Sequence, residues 1–221
     1  MTTTVASLQA SIANTIQDSS YTSVTILGFI NKCMHYIASK IDIKELYLTA
    51  DLETVTDGNL IDLPDNFQRD LKRCYNLYTF GWAKVYGSRS LLDSKLGRLD
   101  LSGNVDAVAK YSNQLYYQRL PSSAQGLRIY YRAKPETLEA GDNIPDYIDD
   151  GYAHDLIHNW VCSKIYNDVE DSMESDRSNA IYYENLFKDA LEDFRVFVGP
   201  EDDDPFLIEE VHSKFDFEDY E

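Results

Sequence analysis

The chain has 221 residues, 43% hydrophobic and 13% aromatic, with 17 tyrosines and a net charge of −18. That length suffices for one domain with a sizeable core or for two small ones. No stretch approaches the ~20 apolar residues of a membrane span, and so acidic a chain is a poor candidate for free DNA binding.

Met1-Thr2-Thr3-Thr4 has neither a basic flank nor an apolar core, so no signal peptide is expected. Val5, Leu8, Ile12 and Ile16 recur at helical spacing and predict a short helix that ends at Asp18-Ser19-Ser20. Thr22 or Ser23 caps a longer one, with a wide apolar stripe from Ile26 to Ile41. From Leu46 the pattern turns to β. Residues 48–56 and 60–63 flank Asp57-Gly58, the turn pair of a tight hairpin, and Pro64 ends the second strand. An extended run follows over 67–80, and a short segment, Trp82 to Tyr86, lies between Gly81 and Gly87. A helix capped by Ser88 or Ser90 then reaches Leu96. Residues 107–118 hold two further strands. In 127–134, Leu127, Ile129, Tyr131 and Ala133 alternate with Arg128, Tyr130, Arg132 and Lys134. Period two predicts an apolar face inward and a basic, aromatic face outward. On that reading, reversing Arg128 and Arg132 to Glu leaves the subunit folded.

Residues 145–198 look like the stretch around which the chain is organised. Pro145 and the acids after it suit a helix start. Ile148, Tyr152, Leu156 and Trp160 form one stripe; Ala180, Tyr183, Phe187, Leu191, Phe194 and Val198 form another. Asp171 to Asp176 make the turn between them, and Gly199-Pro200 is a stop. The expected fold is α+β: an antiparallel helical bundle with a central β insertion and an extended acidic C-terminal arm. The expected boundaries are 1–45 for the N-terminal helices, 46–135 for the β-rich insertion, 136–199 for the helical hairpin and 200–221 for the arm.

Charge divides along the same lines. Residues 69–134 carry 12 Lys/Arg against 4 Asp/Glu, residues 135–199 carry 4 against 16, and residues 200–221 carry 1 against 10. Opposite charges on separate parts of one chain speak to partners and self-association. The strand 127–134 can face an acidic neighbour, with Arg128, Arg132 and Lys134 at an inter-subunit or tail contact. Within the arm, Phe206, Leu207, Ile208, Phe215 and Phe217 are apolar anchors in a segment too polar to fold alone.

No catalytic signature stands out. His154-Asp155-Leu156-Ile157-His158 places two histidines one turn apart, as a zinc site does, but Asp155 stands where a metalloprotease has Glu and no third ligand is signposted. Neither a phosphate-binding glycine loop nor a nucleophile elbow is present. Cys33, Cys74 and Cys162 lack metal spacing and read as reduced, buried residues of a protein made in the cytoplasm. No cofactor and no metal are expected. Two alternatives stay open: a metal-dependent hydrolase using His154 and His158, and a nucleic-acid-binding module through residues 127–134.

The chain resembles the head–tail connector adaptor proteins of tailed bacteriophages. The similarity lies in the early helix ending Ile37-Ala38-Ser39-Lys40-Ile41-Asp42 and in Leu63-Pro64-Asp65-Asn66-Phe67-Gln68-Arg69. It continues in Tyr117-Gln118-Arg119-Leu120-Pro121-Ser122, the strand Leu127 to Pro135, and Ile144-Pro145-Asp146-Tyr147. It covers about residues 20–198 and rests on structural punctuation in a fixed order. The resemblance implies a non-enzymatic virion protein of the neck, made in the host bacterial cytoplasm. It implies a homo-oligomeric ring, usually of twelve copies, between the portal protein and tail or nozzle proteins. The C-terminal arm would dock on the portal, and viral DNA would pass through the lumen without sequence-specific binding. No membrane is involved. Residues 81–106 have no counterpart in the resemblance.

Overall fold

A computed structural model describes residues 3–97, 101–170 and 178–200. The chain divides into two compact units, residues 1–43 with 135–201, and a second built on residues 44–134.

The first unit is helical. Helix α1, Val5–Ile16, opens with a reciprocal cap: the Ser7 amide donates to Thr4 Oγ1 at 3.1 Å and the Thr4 amide donates to Ser7 Oγ at 3.2 Å. It ends at Gln17 in the left-handed region, φ 54°. Helix α2, Ser23–Lys40, is capped by Thr22 and buries Ile26, Ile30, Cys33, Met34, Ile37 and Ala38. Helices α4, Asp150–Glu170, and α5, Ser178–Val198, follow residues 135–149. Residues 145–149 are not helical. Asp149 makes the cap instead, its carboxylate accepting from the Gly151 amide at 2.8 Å and its carbonyl from Ala153. The segment before it is pinned by Asn31, whose amide donates to Leu138 O at 3.0 Å and accepts from Leu138 N at 2.8 Å. Helix α4 touches α1, α2 and α5, and residues 156–163 are all buried. A helix covered on three sides keeps only a narrow exposed strip, which here includes His154, Asp155 and Lys164. The turn expected at Asp171–Asp176 lies outside the described residues.

The second unit is a seven-stranded mixed sheet. Its strands are β1 Tyr47–Glu53, β2 Leu60–Asp62, β3 Phe67–Asn76, β4 Gly81–Tyr86, β5 Ala107–Tyr111, β6 Gln114–Gln118 and β7 Gly126–Ala133. They lie in the order β1-β7-β3-β4-β5-β6-β2. Strands β4 and β5 are parallel, joined through α3, Arg89–Leu96, whose cap is Ser88. This overturns the expected fold, a helical bundle carrying a β insertion. The sheet is a layer in its own right, with a core of Ile61, Leu63, Phe67, Cys74, Leu115, Leu127, Ile129 and their neighbours.

The hairpin expected at Asp57-Gly58 is also corrected. Strands β1 and β2 occupy opposite edges of the sheet, β1 pairing with β7 and β2 with β6. The polar groups of the link turn to other partners. Thr54 N donates to Gln125 O, Asp57 N to Pro121 O, and the Tyr117 hydroxyl accepts from Val55 N at 3.0 Å. Seven flat strands would put the edges about 29 Å apart, at ~4.8 Å per gap. The link from Glu53 to Leu60 reaches at most about 25 Å. The sheet therefore has to curl, and Ala50 and Leu52 of β1 pack on the same core as Ile61 of β2.

Candidate functional site

The convex face of β1, β7, β3 and β4 is where the basic and aromatic residues gather. Register sets Arg73 beside Tyr130, Tyr75 beside Arg128 and Trp82 beside Tyr75, so all point to one side. Trp82 is the centre. Its ring meets Tyr75 edge-on at 5.0 Å and Tyr130 at 5.7 Å, and the Arg73 guanidinium lies over it at 5.2 Å. At the β1 edge, Tyr47 carries Lys72 at 5.9 Å and Arg132 at 6.0 Å. Such contacts are worth about 0.5–1 kcal/mol each at exposed sites.

The three basic residues expected at a contact fare differently. Arg128 is exposed and makes a two-pronged pair with Asp51, at 2.7 and 2.8 Å. The guanidinium holds the Asp51 carboxyl below its ordinary range, and the carboxylate raises Arg128 further. Lys134 is exposed, its ammonium 3.3 Å from Asp65 O. Arg132 is 1% exposed, which corrects the expectation that it faces outward. Alternation itself holds, since Arg132 pairs with Tyr47 in an unbroken β1–β7 register and shares the side of Arg128 and Tyr130, but here that side is covered. Between Arg69 and Arg73 four steps of β3 run against two of β7, with Asp70 in the left-handed region at φ 57°.

A groove lies beside this bulge. Strands β3 and β4 pair only from Cys74–Asn76 to Gly81–Ala83. Beyond that they part, leaving a cavity of about 400 Å³ lined by Lys72, Arg73, Cys74, Trp82, Ala83 and Val85. Cys74 and Ala83 are buried, whereas Trp82 is 48% exposed.

The β3–β4 turn is held rigidly from beneath. Asn76 is fully buried; its amide nitrogen donates to Val105 O at 2.9 Å and to Gln125 Oε1 at 3.0 Å. Its oxygen accepts from the amides of Tyr78 and Thr79 at 2.9 and 3.2 Å. Gln125 completes the network, accepting from Val105 N and donating to Asn104 Oδ1. The turn presents Tyr78, 58% exposed, and Phe80, 81% exposed with φ 53°. An aromatic residue rarely adopts that conformation unless its surroundings impose it. Sequence reasoning placed Asn76 in a strand and gave it no role. Its one signal is a polar side chain at an inward position, next to Cys74.

The histidine pair is brought together, stacked at 4.7 Å. Each ring nitrogen Nε2 meets a hydroxyl of α1: His154 meets Ser11 at 3.1 Å, His158 meets Thr15 at 3.0 Å. The two nitrogens are thus occupied separately. Among the described residues no group of three or more metal-capable side chains occurs. Burial lowers the His158 pKa and pushes the Cys74 and Cys162 thiols up to about 12. These thiols are neutral packing groups, since the thiolate is the reactive form. Between α4 and α5 a second cavity, about 350 Å³, presents Asp155, Asp189 and Asp193 beside Tyr152 and Leu186. Phe206, Leu207, Ile208, Phe215 and Phe217 lie outside the described residues.

Residues 3–204 match the profile of a family described as SU10 adaptor protein. The chain belongs to that family. No curated protein matches it in sequence. The family is one of phage adaptors, which gives this chain a structural role in the virion and partners among the other head and tail proteins. It also speaks against an enzyme, so the hydrolase reading of His154 and His158 loses its ground. None of the described helices is long and apolar enough to cross a membrane. For an adaptor, surfaces matter more than pockets. The chain offers two of opposite sign, the convex sheet face and the α4–α5 groove.

Proposed function

We propose that this adaptor is a head-to-tail connector: a ring of identical subunits, twelve in number, between portal and tail, through which DNA passes. The family match over residues 3–204 is the observation that carries it. A closed ring of like subunits requires two different, complementary patches on each copy. The α4–α5 groove with Asp155, Asp189 and Asp193, and a sheet segment with a net charge of +8, are such a pair. Arg128 and Lys134 are among its exposed basic members. On α5, Ile181, Tyr182, Val196 and Phe197 are each more than half exposed and supply apolar area for the same contact. The arm, through Phe206, Leu207, Ile208, Phe215 and Phe217, reaches the portal. Fully buried, each such side chain contributes roughly 1.5–3 kcal/mol.

Electron microscopy of the purified protein, alone and with its portal, tests this directly. Rings seated on the portal are expected. A chain that stays monomeric with portal and is absent from the necks of virions would overturn the proposal. Exposed charge pairs weaken as the Debye length falls from ~10 Å at 0.1 M salt to ~3 Å at 1 M, so rings should dissociate over that range. Deleting residues 200–221 should leave the rest folded and abolish attachment to the capsid vertex.

A further inference from the structure

We propose that the free adaptor forms a two-fold dimer in which β1 pairs with β1 of a second copy, antiparallel and centred on Ala50. Strand β1 is an edge of the sheet, and its register with β7 runs unbroken over all seven residues. One residue further on, in the same register, Thr54 N donates to Gln125 O at 2.9 Å. That bond fixes the phase of the ladder. Leu48, Ala50 and Leu52 turn their main-chain groups to β7, whereas Thr49, Asp51 and Glu53 turn theirs outward. The latter three residues are exposed. Proteins normally blunt such an edge with a lysine, a proline, a bulge or short length. The opposite edge, β2, has only three residues and is followed by Pro64. Strand β1, Tyr47-Leu48-Thr49-Ala50-Asp51-Leu52-Glu53, carries none of these devices.

The strand is complementary to itself. Turned about Ala50, Leu48 meets Leu52 of the second copy, Thr49 meets Asp51, and Tyr47 meets Glu53. Thr49 and Asp51, whose main-chain groups face outward, then exchange both bonds across the axis. On the core side Leu48 is 41% exposed and Leu52 is partly buried, and each covers the other. On the convex side a hydroxyl stands opposite a carboxylate at both polar pairs. Asp51 keeps its two bonds from Arg128 and still has lone pairs for Thr49. Charge agrees with this orientation. The Lys72 ammonium lies 5.9 Å from the centre of the Tyr47 ring, so Glu53 of the second copy arrives beside a cation. In a parallel arrangement Asp51 would lie against Asp51 and Glu53 against Glu53, which is unfavourable.

This inference goes beyond the connector reading and does not rest on it. A two-fold contact is isologous, so it cannot join neighbours in a ring of many copies, which are related by rotation about a single axis. The dimer is therefore a state of the free chain. It covers an edge that would otherwise template aggregation, and it must part before a ring forms.

Sedimentation velocity of the full-length chain, without portal, reads the association. One strand pair makes an interface smaller than the ~1,200 Å² of standard size, so a dimer that forms with rising concentration in the micromolar range is expected. Glu53→Lys and Lys72→Glu should each weaken it by about tenfold, because each sets like charges together at two symmetric places. The two substitutions combined should restore it, since the new lysine then meets the new glutamate of the second copy. Both positions are at least partly exposed, and circular dichroism checks that the variants stay folded. Ala50→Cys should give a disulfide-linked dimer on mild oxidation, since the pair at the axis sets its Cα atoms ~4.5 Å apart, within the reach of a disulfide. The native Cys33, Cys74 and Cys162 are buried, and Val24→Cys, at an exposed site of α2, is the control. A monomer at every concentration up to the solubility limit would overturn the proposal and leave the edge to a strand of another protein. So would a dimer indifferent to both charge reversals, a double variant no tighter than the single ones, or a disulfide no faster from Ala50→Cys than from Val24→Cys.

Discussion

Replacing Asn76 with alanine should cost about 2–4 kcal/mol, by stranding buried polar groups rather than by the small volume lost. The orientation of its amide is fixed by chemistry. The Val105 carbonyl can only accept, so the Asn76 nitrogen must face it, 2.9 Å away. Alanine leaves that carbonyl without this donor in a fully buried site, and Gln125 Oε1 keeps only the Val105 amide of its two donors. The amides of Tyr78 and Thr79 are partly buried and lose the oxygen that holds the turn. One stranded carbonyl, one half-satisfied oxygen and a loosened turn account for the figure, at ~1–3 kcal/mol per buried unsatisfied group.

Urea unfolding followed by tryptophan fluorescence reads the loss. The chain has two tryptophans, Trp82 in the sheet and Trp160 in α4. A Trp160→Phe background therefore reports on the sheet unit alone. With a slope near 2 kcal/mol per molar, the midpoint should fall by about 1–2 M. Asn76→Asp separates the two explanations. It keeps the volume but sets a carboxylate oxygen against Val105 O and Gln125 Oε1, so it should be at least as damaging as alanine. A midpoint shift below about 0.3 M for alanine, or a mild effect of aspartate, would refute the network's role.

Arg128→Glu breaks an exposed pair with Asp51 and should cost at most ~1 kcal/mol in urea melts while weakening ring assembly. Arg132→Glu buries a carboxylate where a guanidinium sits and should cost more than about 3 kcal/mol; equal, small losses for both would contradict the burial of Arg132. The double reversal is thus a poor probe of assembly, and Arg128→Glu with Lys134→Glu is the clean one. Burial holds the His158 pKa below its ordinary 6.5, outweighing the hydrogen bond to Asn159, with His154 adding to the lowering. Folded His158 binds fewer protons than unfolded, so its contribution is complete above pH 6.5 and falls as the pH drops below that value, until the folded pKa is passed. His158→Gln should flatten that slope in urea titrations between about pH 5 and pH 7.5, and an unchanged slope would remove the assignment.

Local elements were legible in the sequence where one physical rule acted alone. The caps at Thr22 and Ser88, the stripe of α2 and the strand at 127–133 follow from spacing and turn chemistry. The pairing of strands was not legible in the same way. Asp57-Gly58 satisfies the local rule for a tight hairpin, yet β1 and β2 lie at opposite edges. Leu48 of β1 pairs with Tyr131 and Ile61 of β2 with Leu115, 83 and 54 residues away along the chain, and no local signal encodes such a choice. Period two likewise put Arg132 with Arg128 on one open face. Arg132 does share that face, but it is buried by chain outside 127–134, so its burial is invisible in that strand read by itself.

The groove and the buried Asn76 network share that origin, and this is why sequence reasoning found neither. Asn76 lies in β3, Val105 before β5 and Gln125 before β7; only the curled sheet brings the three together. The curl in turn is forced by the short link between edge strands, so one topological constraint fixes the network and the rigid turn with Tyr78 and Phe80 above it. Strands β3 and β4 stop pairing beyond Cys74 and Ala83, which leaves an aromatic and cationic groove beside Trp82, next to a turn anchored by Asn76. A stiff frame with an opening is what a surface needs to hold a short segment without paying the entropy of closing around it.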